Sequence, residues 1–238
     1  MLCKSESYNF SFIIFIKKID SHTLKNNMNK IPIHGYTQSD AIFKAKLGSL
    51  RKGFKKEIDF TFITAPHEVP TKINFSEQEG YGWWFNTEDH VFKATVPSDI
   101  CAGFEKSLSL IEKTFEELGP FDGILGFSQG AAFATILCSM QQKKLLKGEF
   151  HFAIIISGFL SLCAPHAMYY DVNINIPSLH VYGETDQVIP TVAAEKLSDL
   201  FTNKRRMIHE GGHYIPSKKE IYKDFIMEML ANKNVNNY

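Results

Sequence analysis

The residues most able to do chemistry are Gly126-Phe127-Ser128-Gln129-Gly130, a serine with a glycine two positions away on each side. A serine hydroxyl is a weak nucleophile until a neighbouring base takes its proton. Context raises Ser128 above a chance pattern. An apolar run, Gly123–Phe127, leads into it, and small residues beginning Ala131-Ala132 lead out. Strand, serine, helix is the order of a sharp turn that lifts the hydroxyl above the edge of a sheet. Glycine at 126 and 130 leaves space where a Cβ would strike the adjoining strand or helix. The helix N-terminus turns its free N–H groups toward the reacting centre, so the Gln129 N–H is expected to be one oxyanion donor. The plainer alternative is a serine that only caps a helix.

A base and an orienting acid should follow in chain order, each on a loop after a strand. Ser178–Tyr182 reads as a strand, followed by Gly183-Glu184-Thr185-Asp186. Asp186 is preferred over Glu184 as the acid because it lies further out on the loop beyond Gly183. Met207-Ile208-His209 ends another strand, and Glu210-Gly211-Gly212-His213 turns away from it. His213 is therefore the expected general base, and His209 a strand residue. His209-Glu210-Gly211-Gly212-His213 also spells a zinc-protease pattern, which needs both histidines on one helix face. Two adjacent glycines would cost that helix about 2 kcal/mol, and Pro216 follows, so no metal is expected here. Four cysteines, Cys3, Cys101, Cys138 and Cys163, form no CxxC pair and no zinc spacing, so no metal is expected on them either.

The second oxyanion donor should come from the loop after an early strand. His34-Gly35-Tyr36-Thr37-Gln38-Ser39 stands there, and the backbone N–H of Tyr36 is assigned. Between Ala65 and Pro97 the chain has no clear period but carries Trp83-Trp84-Phe85 beside Gly80 and Gly82. In a regular strand three consecutive rings cannot all face inward. At least one of Trp83, Trp84 and Phe85 is therefore expected to line the substrate cleft while another anchors the loop to the core. The plainer alternative is that all of them only anchor.

The elements that must position these groups alternate between strand and helix. Strands are predicted near Lys30–Ile33, Ile58–Thr64, Gly123–Phe127, Phe152–Ser157, Ser178–Tyr182 and Met207–His209. Helices are predicted near Ser39–Lys52, Asp99–Leu118, Gln129–Gln142, Val192–Phe201 and Lys218–Leu230. That order implies an α/β fold built from βαβ units around a mostly parallel sheet. Pro32 sits poorly with a central strand. Residues 1–27 read as a non-conforming extension, 28–231 as the domain and 232–238 as an Asn-rich tail. The 238 residues, 44% of them hydrophobic, suit one domain. Lys plus Arg and Asp plus Glu total 26 each, so no basic face for nucleic acid is implied. Phe12–Ile16 is too short to span a bilayer.

These pieces together resemble the FSH family of serine hydrolases, the ovarian-tumour-associated esterase type. The resemblance runs from about Met28 to Leu230. It is carried by His34–Ser39, Gly82-Trp83-Trp84-Phe85, the Ser128 turn, Ile156-Ser157-Gly158-Phe159, Gly183–Pro190 and Glu210–His213. It implies the α/β-hydrolase fold with no separate lid domain, no cofactor and a cytoplasmic protein, with the nucleus also open to it. The implied chemistry is hydrolysis of a small-molecule carboxylic ester through an acyl-enzyme. Acyl thioesters are the alternative substrate, and a catalytically idle binding module is the alternative of a different class.

Overall fold

The computed structural model describes residues 27–70 and 79–236. The expectations for residues 1–26 lie outside the described residues, as does part of the long aromatic segment. Six strands form one sheet in the order β2-β1-β5-β6-β7-β8. They are β1 (Met28–Ile33), β2 (Ile58–Phe60), β5 (Gly123–Phe127), β6 (Phe152–Ile156), β7 (Ser178–Gly183) and β8 (Lys204–His209). Every pairing in this sheet is parallel. Two short strands, β3 (His67–Glu68) and β4 (Tyr81–Gly82), pair antiparallel apart from it.

Period-two alternation sorts the strand side chains onto two faces. Ile31, Ile124 and Ile155 face one core with Phe104, Ile111, Phe133 and Leu197. These come from α3 (Phe104–Leu118), α4 (Gln129–Gln142) and α5 (Thr191–Ser198). Met28, Leu125, Phe152 and Val181 face a second core with Phe43, Leu50, Tyr222 and Phe225. Those come from α1 (Asp40–Lys46), α2 (Gly48–Gly53) and α6 (Glu220–Asn236). Parallel strands covered on both sides must be apolar on both, which explains runs such as Phe152–Ile156.

Several boundaries differ from the sequence expectation. Ser39–Lys52 is two helices, because the chain turns at Leu47 before Gly48. Helix α3 begins at Phe104, after Gly103 in the left-handed region at φ 89°. Ser98, ahead of it, accepts the Ile100 N–H in a local turn. Helix α6 continues to Asn236, and Lys233 pairs with Asp122 at 2.8 Å. Pro32 does lie in a central strand. The Lys30 carbonyl accepts from Thr61 on the β2 side, so residue 32 also faces that side. The β2 pairing runs only along Met28–Lys30, so the proline removes no ladder bond.

Strand order reverses between β1 and β5, since β2 lies on one flank of β1 and the sheet's later strands, β5 to β8, on the other. Crevices at the carboxyl ends of strands beside such a reversal are where α/β proteins bind ligands. The loops after β1 and β5 both open there.

Candidate active site

Ser128 stands between β5 and α4 with φ 53° and ψ −119°, a conformation that side chains rarely adopt. Its N–H donates to Ile156 O at 3.0 Å, and its carbonyl accepts from Ala132 at 3.0 Å. The flanking glycines are sterically required. A Cβ at Gly126 would lie 2.4 Å from Gly130 O, and one at Gly130 would lie 2.1 Å from Ile33 O. The serine is thus raised on a turn wedged between β1 and the first turn of α4.

The loops after β7 and β8 bring the other two groups to it. His213 Nε2 lies 3.0 Å from Ser128 Oγ. His213 Nδ1 lies 2.7 Å from Asp186 Oδ2. A carboxylate can only accept, so Nδ1 carries the proton and Nε2 presents its lone pair to the serine. The other carboxylate oxygen of Asp186 accepts the N–H groups of Val188 at 2.9 Å and Ile189 at 2.8 Å. Asp186 is therefore buried and fixed, while Glu184 is exposed. Phe127 packs on the imidazole with ring centroids 4.9 Å apart. The two loops are braced backbone to backbone. Glu184 N–H donates to His209 O at 2.8 Å, and a Cβ on Gly183 would lie 2.0 Å from Gly211 O. His209 ends β8 and no helix joins it to His213, so the zinc-protease reading has no structural basis.

The loop after β1 is organised around His34. Its Nε2 accepts the Ala65 N–H at 2.9 Å, which places the proton on Nδ1, 2.8 Å from Gly35 O. Burial holds its pKa down to about 4, so the ring is neutral in ordinary buffers. The Gly35 N–H is taken by Gln38 Oε1 at 3.3 Å. Gln129 is the first residue of α4, so its N–H has no acceptor within the helix. The sequence-assigned donors, Tyr36 and Gln129, belong to the loop and the helix that meet at the strand-order reversal.

Residues 25–225 match the family model described as Serine hydrolase (FSH1). The chain belongs to this family. It is 39% identical over 219 residues to a Xenopus tropicalis protein named Esterase OVCA2, covering 87% of this chain and 95% of that one. It is 42% identical over 203 residues to the Drosophila melanogaster protein Esterase CG5412, covering 83% and 73%. In fold it resembles Zea mays acyl-protein thioesterase 2, with a TM-score of 0.61, 18% identity, and 86% and 94% of the two chains covered. It likewise resembles a Bacillus cereus carboxylesterase, with a TM-score of 0.59 and 14% identity, covering 86% and 90%. No helix among the described residues is long and apolar enough to cross a membrane.

In this FSH1-family chain the aromatic run anchors throughout, and the expected cleft-lining ring is not among its three. Trp83 and Trp84 are fully buried and Phe85 nearly so, so none of the three lines an open cleft. The alternation argument does not apply, because strand β4 ends at Gly82 and the chain bends at Trp83. Trp83 donates its indole N–H to His34 O at 2.8 Å and packs on Phe133. Trp84 packs among Phe92, Phe104 and His166. Gln129 joins this segment to the Ser128 turn. Its Oε1 accepts the Trp83 N–H at 3.0 Å, and its Nε2 donates to Trp84 O at 2.8 Å. Sequence reasoning missed this role for the Gln129 side chain, and that of His34, because their partners are main-chain atoms distant in sequence.

An apolar groove of about 180 Å³ runs beside the loop that carries Asp186 instead. Phe159, Leu160 and Leu162 form one wall after β6, and Ile189, Val192 and Ala193 form the other after β7. A larger depression of about 950 Å³ includes Pro120 and Glu149, which precede β5 and β6. It therefore lies at the amino edge of the sheet, away from Ser128.

Proposed function

We propose that the chain is a serine esterase that hydrolyses carboxylic esters with an apolar acyl group. The observation that carries this reading is the position of His213, within hydrogen-bond reach of both Ser128 Oγ and Asp186 Oδ2. His213 Nε2 takes the hydroxyl proton as Ser128 Oγ bonds to the ester carbonyl carbon. The carbonyl oxygen becomes an oxyanion and accepts from the N–H groups of Gln129 and Tyr36. The C–O bond to the alcohol then breaks, and the alcohol departs with the proton from His213. Water repeats the cycle on the acyl-Ser128 ester, giving the carboxylic acid and the free hydroxyl. Asp186 holds the imidazole in the required tautomer and stabilises its cation.

Names of the relatives support the ester as substrate class, and the Phe159–Leu162 groove supports an apolar acyl chain. Each methylene buried there contributes up to about 0.8 kcal/mol. An acyl thioester would pass through the same acyl-Ser128, so thioester substrates belong in the same trial. A fluorophosphonate probe should label Ser128, and Ser128→Ala should lose label and at least about 10⁴-fold in turnover. An unlabelled wild type would mark an idle scaffold. Octanoyl esters should exceed acetyl esters in kcat/KM, and Val192→Asp on the groove rim should erase that preference while sparing acetyl turnover. A wild type that prefers acetyl would refute the apolar acyl site while leaving the triad assignment intact.

A further inference from the structure

Outside the Ser128 site, Cys101, Cys163 and His166 converge on one point. Their ligand atoms all lie within 4.8 Å of one another. We propose that these three residues bind a thiophilic d10 metal ion of the Zn2+ class.

The cluster is assembled by two segments. Cys163-Ala164-Pro165-His166 is a local chelate at the start of a 3-10 turn, closed by the His166 N–H donating to Cys163 O at 2.9 Å. Side chains three apart in such a turn stand on the same side. Cys101 is delivered by the loop before α3, which is stitched alongside. Ser98 N–H donates to Leu162 O at 3.1 Å, and Ala164 N–H donates to Ser98 O at 2.8 Å. Chain-order spacing hides this set, because one thiol is far from the other two groups in sequence.

The imidazole is oriented as a ligand would be. His166 Nε2 lies 2.9 Å from Cys101 Sγ, while Nδ1 lies 2.7 Å from Ser161 Oγ. Ser161 Oγ can accept the Nδ1 proton, which leaves the Nε2 lone pair facing the sulfurs. Metal-bound histidines are commonly fixed by such a partner on the second nitrogen. Phe104 and Trp84 wall the imidazole with ring centroids 4.4 and 5.2 Å away. Cys163 and His166 are buried, and half-buried Cys101 leaves one side open to solvent.

Two sulfurs and an imidazole suit Zn2+ or Cu+ rather than hard oxygen-seeking ions. On binding Zn2+ the two thiols release their protons to water, so two thiolates balance the dication and the buried cluster is neutral. Three protein ligands leave a fourth position for solvent from the Cys101 side, a pattern known among zinc proteins. The bound ion would fasten the loop before α3 to the segment that carries Phe159, Leu160 and Leu162, one wall of the apolar groove.

The test uses the full chain, stripped with a chelator under reducing conditions and titrated with Co2+. The expected result is thiolate-to-cobalt charge-transfer absorption that saturates at one ion per chain and is displaced by Zn2+. Cys101→Ser, at the half-exposed position, should remove that absorption, as should Cys163→Ser. Ser161→Ala should weaken binding by about 10-fold or more. Fluorophosphonate labelling of Ser128 reports that each variant is folded. Absence of the absorption at one equivalent overturns the proposal. So does absorption that both cysteine variants retain, which would place the ion elsewhere. Reduced protein that takes no metal but joins Cys101 to Cys163 under mild peroxide would show a redox pair instead, and also overturns it.

Discussion

Gln129 carries a fully buried amide whose two ends hold the main chain of both tryptophans. Removing it strands the Trp83 N–H and the Trp84 carbonyl away from water, at about 1–3 kcal/mol for each group. Gln129→Ala should therefore lower stability by about 2–6 kcal/mol, measured as a shift in urea midpoint. Its backbone N–H survives the substitution, so turnover should fall far less than in Ser128→Ala. A stability loss below about 1 kcal/mol would mean that water replaces the amide. At this scale the sequence was informative where chemistry restricts residue type. Ser128, Asp186 and His213 were recognisable from motif and order, and the structure brings the three into one hydrogen-bonded line. That Trp83, Trp84 and Phe85 all anchor and none lines the cleft was not, since a buried aromatic and a cleft-lining aromatic have the same chemical character.

Strand β1 shows what a parallel sheet tolerates and at what cost. Lys30 is fully buried, with its ammonium 4.6 Å from the centroid of Phe152. Burial lowers its pKa from 10.5 to about 7, partly opposed by Asp122. Below about pH 7 the lysine is charged in both folded and unfolded chains, and burying that charge destabilises the fold in full. Between about 7 and 10.5 the folded chain sheds the proton while the unfolded chain keeps it, so the penalty fades as pH rises. Lys30→Met, similar in volume and apolar, should be the more stable protein near neutral pH by a margin on the order of a few kcal/mol. That margin should shrink toward pH 10.5. Urea midpoints of the two proteins across this range decide it, and a margin independent of pH would refute the account. Strands β5 and β6 were legible because nearly every residue is apolar. The start of β8 was not, since Lys204-Arg205-Arg206 gives no apolar signal and pairing with β7 alone makes it a strand.

At the scale of the molecule, the order of strands explains why one edge holds every group of the proposed site. The turns after β1, β5, β7 and β8 all leave the carboxyl edge of one sheet. Among the described residues the buried core begins at Met28, and Lys233 near the end of α6 reaches back to the Asn27 carbonyl at 3.2 Å. The family match likewise begins at residue 25. A chain lacking residues 1–26 should remain soluble and keep its fluorophosphonate labelling and ester turnover. Insoluble product would assign those residues to the fold.

The contact between Gly183 and Gly211 has a consequence for anyone redesigning this protein. With a Cβ at Gly183 placed 2.0 Å from Gly211 O, Gly183 cannot be replaced without moving Asp186 relative to His213. The walls at Leu160, Leu162 and Val192 carry no such constraint, for Leu162 and Val192 are exposed at 43% and 70%. A mutant library aimed at new substrates should be written into those walls. Randomising the glycine crossing would yield mostly inactive clones, whatever the substrate on which they were screened.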